Sequence, residues 1–362
     1  GPNHEKTRHW SGALPAMTTA ISIANGRFPI NGTSTYAGRS WQSHRIEGLL
    51  FNSRMANAIA DDENPSTRGA WSYADGDWDA ERSTRAFIAA LPSYRAHGLL
   101  AVCINIQGGS PQGYSWHQPW KIGGFTADGT IKPAWAARLD KVIKACDALG
   151  MDVIRGLFYG KKSTTLKAET AVKAAVTNTV DWLVQRNATN VLLEIGNEVD
   201  LPNVFVHPII TAARCHELIE LAKKRSQGKL LVSTSLISIR APSEAILAAA
   251  DFLLPHGNGV SGPDGPPQSS PHGIRLQVAR WRAGAGYRGQ PVLYNEDDHF
   301  DFDKPDNHLV AAIDSGASWG YFDFRRIRER FEDGFQSLPV DWTISSARKR
   351  AFFGLLKDIT GV

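Results

Sequence analysis

Short apolar runs alternate with amphipathic stretches from residue 46 to the end of this 362-residue chain, and that rhythm constrains the fold more than any other feature. The apolar runs occupy 46–52, 99–106, 152–158, 191–196, 230–236, 251–255, 291–295 and 318–322. They are short and mostly aliphatic, as strands buried on both faces are. Helical spacing fills the intervals near 80–96, 133–149, 168–186, 209–226, 242–249, 272–283 and 305–315, and returns at 345–359. In the second of these, Leu139, Val142, Ile143, Cys146 and Leu149 follow Pro133 and precede Gly150. The proline sits where a missing N–H costs nothing, and the glycine sits where a helix must stop. Eight strands and eight helices in strict alternation predict an α/β fold, a (β/α)8 TIM barrel. The competitor is an open doubly wound sheet. Its dinucleotide form needs a glycine-rich loop after the first strand, and Phe51-Asn52-Ser53-Arg54-Met55 supplies none.

The connections that follow the strands are the long ones, notably 53–79, 107–132 and 256–271. In a barrel all of them decorate the C-terminal face, where chemistry is placed. Residues 1–45 read as an N-terminal extension ahead of a barrel domain at 46–362. Within it, 21–32 has the pattern of a β-hairpin turning at Asn25-Gly26. That hairpin either plugs the bottom of the barrel or covers its flank.

Composition narrows the partners. Forty basic and 36 acidic residues leave a net charge of +4. Arg325-Arg326-Ile327-Arg328 and Arg348-Lys349-Arg350 are too short for the basic stripe of a nucleic-acid binder. Arg325 and Arg326 still leave room for a local anionic site. The three cysteines, Cys103, Cys146 and Cys215, lack metal-ligand spacing and read as buried free thiols. No run reaches the roughly 18 apolar residues of a membrane span. Gly1-Pro2 reads as the scar of a cleaved tag, so a periplasmic or secreted location stays open beside a cytoplasmic one. No metal, cofactor or obligate protein partner is called for. Of 11 tryptophans, Trp41, Trp71, Trp78, Trp116 and Trp120 lie in polar surroundings. Flat rings of this kind can cover the C–H face of a sugar, which points to a carbohydrate partner.

Two apolar runs end in glutamates: Val191-Leu192-Leu193-Glu194-Ile195-Gly196-Asn197-Glu198 and Pro291-Val292-Leu293-Tyr294-Asn295-Glu296. Barrel closure would put Glu198 and Glu296 on one rim. Paired carboxyls can then divide the work of glycosidic cleavage, one giving a proton and the other acting as nucleophile or base. Asn197 is placed to meet a sugar hydroxyl. Glu194 shares strand parity with Glu198, and Asp297 and Asp298 compete with Glu296. Asn105, Gln107, Trp116, His117 and Trp120 lie at or beyond the end of the second strand, and Tyr294 precedes Glu296. All six are candidates for substrate contact.

Ile195-Gly196-Asn197-Glu198, with a second glutamate ending the seventh strand, resembles the clan A glycoside hydrolases, retaining enzymes on a (β/α)8 barrel. The resemblance spans 46–360 in its order of elements and leaves the individual family unidentified. It implies that Glu198 is the acid/base, Glu296 the nucleophile and Asn197 the partner of the hydroxyl beside the anomeric carbon. It further implies that Trp319 floors the sugar subsite, that His256 stands near the nucleophile and that Arg54 steadies it. The chain departs from the common pattern at Pro255-His256-Gly257-Asn258, where many members carry His-x-Tyr, and at Asn295. The expectation is a retaining hydrolase of β-glycosidic bonds in an oligo- or polysaccharide, with long loops slightly favouring exo action. The alternatives are a barrel that binds carbohydrate without turnover, and a metal-dependent hydrolase using His256, His272, Asp297, Asp298 and His299.

Overall fold

The computed structural model describes residues 17–112, 117–258 and 270–362. The strands are β1 (Asn52–Arg54), β2 (Ala101–Asn105), β3 (Asp152–Phe158), β4 (Val191–Gly196), β5 (Leu231–Ser233 and Ser235–Leu236), β6 (Leu254–Pro255), β7 (bridged residues within 292–297) and β8 (Gly320–Tyr321). Six of them form one parallel sheet in the order β8-β1-β2-β3-β4-β5. Parallel pairing of Ser235 with Leu254, Leu253 with Val292 and Leu293 with Ser318 joins β5, β6, β7 and β8 and closes the ring.

Between and after the strands run α1 (Ala80–Ala96), α2 (Pro133–Ala148), α3 (Glu169–Gln185), α4 (Cys215–Arg225), α5 (Glu244–Ala249), α6 (Pro271–Arg282), α7 (His308–Asp314) and α8 (Ala347–Thr360). This is the (β/α)8 barrel that the alternation predicts. α4 starts later than its periodicity implies, because Pro208–Ile210 forms a separate 3-10 turn. β1 also differs from expectation, pairing at Asn52–Arg54 rather than along 46–52. The apolar residues before it enter the core without a ladder: the Leu50 N–H donates to Ser318 Oγ at 2.8 Å.

Two apolar layers hold the barrel. Leu50, Ile154, Leu192, Leu254 and Leu293 fill its lower interior together with Ile21 and Phe28 from the N-terminal hairpin. The hairpin therefore plugs the bottom. Its turn residues Asn25 and Gly26 have φ of 53° and 71°, left-handed values that Asn and Gly tolerate best. The larger layer lies between the strands and the helices, and all three cysteines are buried and free.

The pairing of β7 carries a one-residue bulge. From Val292 to Glu296 it takes four steps while β6 takes three, from Leu253 to His256. On its other side, Leu293 to Asp297 is four steps against three from Ser318 to Tyr321. An extra residue breaks the alternation of faces. Leu293 and Asn295 face the barrel interior, Glu296 stays on that side, and Asp297 turns out toward the helices.

Candidate active site

Glu198 sits in the turn after β4 with φ of 53°, unusual for a side chain with a Cβ. The turn is held firmly. The N–H groups of Glu198 and Val199 donate to Ser235 Oγ at 2.9 Å and Ser235 O at 3.1 Å, and that of Asn197 donates to Phe158 O at 2.9 Å. Strain kept in place by neighbouring strands is a frequent mark of a working residue.

Across the mouth, His256 ends β6 and is fully buried. Its Nδ1 lies 2.7 Å from Glu198 Oε2 and 2.9 Å from Glu296 Oε2. Two carboxylates thus converge on one ring nitrogen, and one atom from each of the three side chains falls within 4.8 Å of the others. Glu296 Oε1 meets Arg54 Nε at 2.8 Å, and its Oε2 accepts from Asn258 Nδ2 at 2.8 Å. Arg54 Nη2 also donates to Asn197 Oδ1 at 2.9 Å, tying the β4 turn to β1. Below them Glu194 points inward, accepting from Asn295 Nδ2 at 3.0 Å with Arg54 Nη1 at 4.0 Å.

These neighbours separate the two acids. Burial, then the negative charge of Glu296, raise the Glu198 carboxyl to about 6, against the opposing effect of His256. Burial works upward on Glu296 as well, but Arg54 and His256 outweigh it and hold that carboxyl at about 2. Burial lowers the basicity of His256, while Glu296 and Glu198 override it and raise the ring to about 10. The mouth therefore holds one acid that keeps its proton in mild acid and one that stays ionised, the division that acid–nucleophile chemistry requires.

The other expected contacts fare differently. Trp319 and Tyr294 are fully buried on the helix side of their strands. Trp319 Nε1 donates to Asp297 Oδ2 at 3.0 Å, and the Tyr294 hydroxyl donates to Gln277 Oε1 at 2.7 Å. Ser318 and Gly320 take the interior positions of β8, so parity turns Trp319 away from the mouth. Asn105 faces the barrel interior, where a Cβ at Gly156 would collide with its Oδ1. Gln107 braces the connection after β3, accepting from the Tyr159 N–H at 2.8 Å and donating to Lys162 O at 3.3 Å. His117 is exposed on the connection after β2. Trp116 lies outside the described residues.

Among the described residues, the tryptophans of these connections are structural struts rather than open platforms. Trp120 packs edge-on against Trp71 at 5.9 Å, and both are buried. Trp71 and Trp78 donate to Asp62 and Asp61 at 2.8 and 2.9 Å, and Trp41 donates to Asp358 on α8 at 3.0 Å. The anionic site considered at Arg325 and Arg326 is occupied by the protein itself. Arg326 pairs with Asp323 at 2.9 Å, and Arg325 donates to the Pro339 carbonyl at 2.6 Å.

Sequence reasoning did not assign Asn258, Ser235 or Tyr159. Asn258 holds the carboxylate of Glu296, Ser235 fixes the backbone of Glu198, and Tyr159 is half-buried where both glutamate charges reach its hydroxyl. Their available signal was position alone, since each lies at or just past a strand's C-terminal end.

No family model and no curated protein sequence matches the chain. Solved structures do. The β-mannanase of the blue mussel Mytilus edulis has a TM-score of 0.55 at 10% identity, over 95% of this chain and 97% of that one. The endo-1,4-β-mannanase of Rhizomucor miehei has 0.55 at 12%, over 94% and 99%. An exo-β-1,4-mannosidase from an Opitutaceae bacterium has 0.54 at 15%, over 94% of this chain and 61% of that one. At such low identity the likeness concerns the backbone: this chain shares the barrel fold on which those glycosidases are built.

Proposed function

We propose that the protein is a retaining β-glycosidase acting on an oligo- or polysaccharide, with a slight preference for releasing terminal units. One observation carries this reading: two carboxyls meet at His256 within 4.8 Å, one held ionised and the other keeping its proton. Inverting enzymes need about 6.5–9.5 Å to admit a water between their carboxyls, whereas retaining ones use about 5–5.5 Å. The exo preference rests on the long connections around the mouth, and the mannan- and mannoside-cleaving barrels of like fold motivate β-1,4-mannosides as first substrates.

In the first step an oxygen of Glu296 bonds to the anomeric carbon while the bond to the leaving oxygen breaks. Glu198 gives that oxygen its proton. The charge of Glu296 is then consumed in the ester, which removes one cause of the raised Glu198 pKa and suits Glu198 to act as base. A water oxygen attacks the anomeric carbon, its proton passes to Glu198, and the ester bond returns its electron pair to Glu296. Asn197, with its oxygen taken by Arg54, keeps its amide nitrogen as donor to the neighbouring hydroxyl.

The test is the anomer of the first product from β-1,4-manno- and gluco-oligosaccharides, followed by NMR. Retention is expected, with turnover lowered by about 10³-fold or more in Glu296→Gln. Initial release of the inverted anomer, or a Glu296→Gln rate near wild type, would reject the mechanism. The metal reading has its own support in Asp297, His299 and His308, whose ligand atoms also lie within 4.8 Å of one another. Full activity after exhaustive chelation separates the two readings.

A further inference from the structure

The carboxylate of Asp297 lies directly behind Glu296 and has no part in the two-step chemistry. It is fully buried, yet four donors converge on it. Oδ1 accepts from the backbone N–H of His299 at 3.1 Å and from its ring Nδ1 at 2.8 Å. Oδ2 accepts from His308 Nδ1 at 2.7 Å and Trp319 Nε1 at 3.0 Å. An ionised carboxylate offers about four lone-pair sites, so this one is filled.

The donors come from different parts of the fold: the connection after β7, the first residue of α7, and the residue ahead of β8. The two imidazoles stack on each other at 4.0 Å, which limits either from swinging away. The backbone adds two bonds to β8, Asp297 N to Gly320 O and Phe322 N to Asp297 O, both at 3.1 Å. β6 is held as well. A Cβ at Gly257 would collide with Asp297 Oδ2, and the Gly257 N–H donates to Glu296 O at 2.9 Å. Three strand ends and one helix start are therefore registered on a single side chain, at the bulge where β7 turns Glu296 toward the mouth.

We propose that Asp297 is the positioning residue for Glu296, its filled carboxylate locking the bulged end of β7 so that the nucleophile faces Glu198 and His256. The proposal rests on Glu296 being the nucleophile. An amide at this position keeps the shape but turns an NH2 toward groups that are themselves donors, which forces the node to rearrange. A misplacement of about 1 Å at a reacting atom can cost roughly 100-fold in rate.

The experiment measures covalent labelling of Glu296 by 2,4-dinitrophenyl 2-deoxy-2-fluoro-β-D-mannoside and the corresponding glucoside. The glycosyl–Glu296 bond forms as dinitrophenolate leaves, so no proton from Glu198 is needed. Labelling is read by peptide mass, with the maximal rate separated from the half-saturating concentration. Asp297→Asn should lower the maximal rate about 100-fold and leave the half-saturating concentration within about twofold. Trp319→Phe, which removes one donor and keeps an aromatic ring, should lower it roughly tenfold; it carries the test if Asp297→Asn does not fold. Wild-type maximal rates in whichever variant folds, or a change confined to the half-saturating concentration, overturn the proposal while leaving the nucleophile assignment intact. Absence of label on Glu296 in the wild type overturns both.

Discussion

Glu198 is held in a fold that opposes its ionisation, and replacing it with glutamine should show how strongly. Burial and the charge of Glu296 raise its carboxyl from 4.5 to about 6. Between those values the unfolded chain has released a proton that the folded chain still holds. Stability present below about 4.5 is therefore lost as pH climbs through about 6. The gap is worth about 2 kcal/mol, at roughly 1.4 kcal/mol for each pH unit. Glutamine keeps the shape and the left-handed backbone but has no proton to lose, so it escapes this penalty. Urea unfolding of both proteins, at about pH 4 and again at about pH 6.5, isolates it, because the upper value lies near the unfolded pKa of histidine and keeps the His256 contribution small. The unfolding free energy of Glu198→Gln, relative to wild type, should rise by about 2 kcal/mol between the two conditions. A difference that stays constant with pH would refute the claim that the fold strains this acid.

The same separation of carboxyls governs the pH dependence of kcat/KM: it should decline tenfold per unit above about 6, as Glu198 loses its proton, with an acidic limb near 2. An alkaline limb above about 8 would remove Glu198 as the proton donor. Arg54→Met withdraws the cation that lies 2.8 Å from Glu296 Oε1. The acidic limb should then move up by about 1–3 pH units, and a limb that does not move would assign the low pKa to other groups.

The barrel was legible because its strands are buried on both faces and its helices on one, so each announces itself by local spacing. The first strand misled because Ile46, Leu49, Leu50 and Phe51 are apolar for a different reason, entering the core beneath the ladder. The two glutamates were legible as polar residues terminating apolar runs. Their tryptophan surroundings were not, because hydrogen bonds to Asp61 and Asp62 turn exposed-looking rings into buried struts. Trp319, expected at the mouth from the resemblance, is turned away by ordinary strand parity, whereas in β7 parity could not settle the choice among Glu296, Asp297 and Asp298. The bulge in β7 inserts one residue, and nothing in the order of side chains there signals which residue is extra.

What the chain's own order of residues determined is the sequence of strands and helices, the plugging hairpin's turn at Asn25-Gly26, and the acids at the ends of β4 and β7. Those features rest on interactions between near neighbours and on periodic burial. Only closure of the ring decided that His256 stands between Glu198 and Glu296, that Arg54 from β1 neutralises one of them, and that Asp297 gathers its donors behind the mouth. Charge separation at this site depends on distances across the barrel, between groups dozens to hundreds of residues apart. Local sequence has no means of setting such distances.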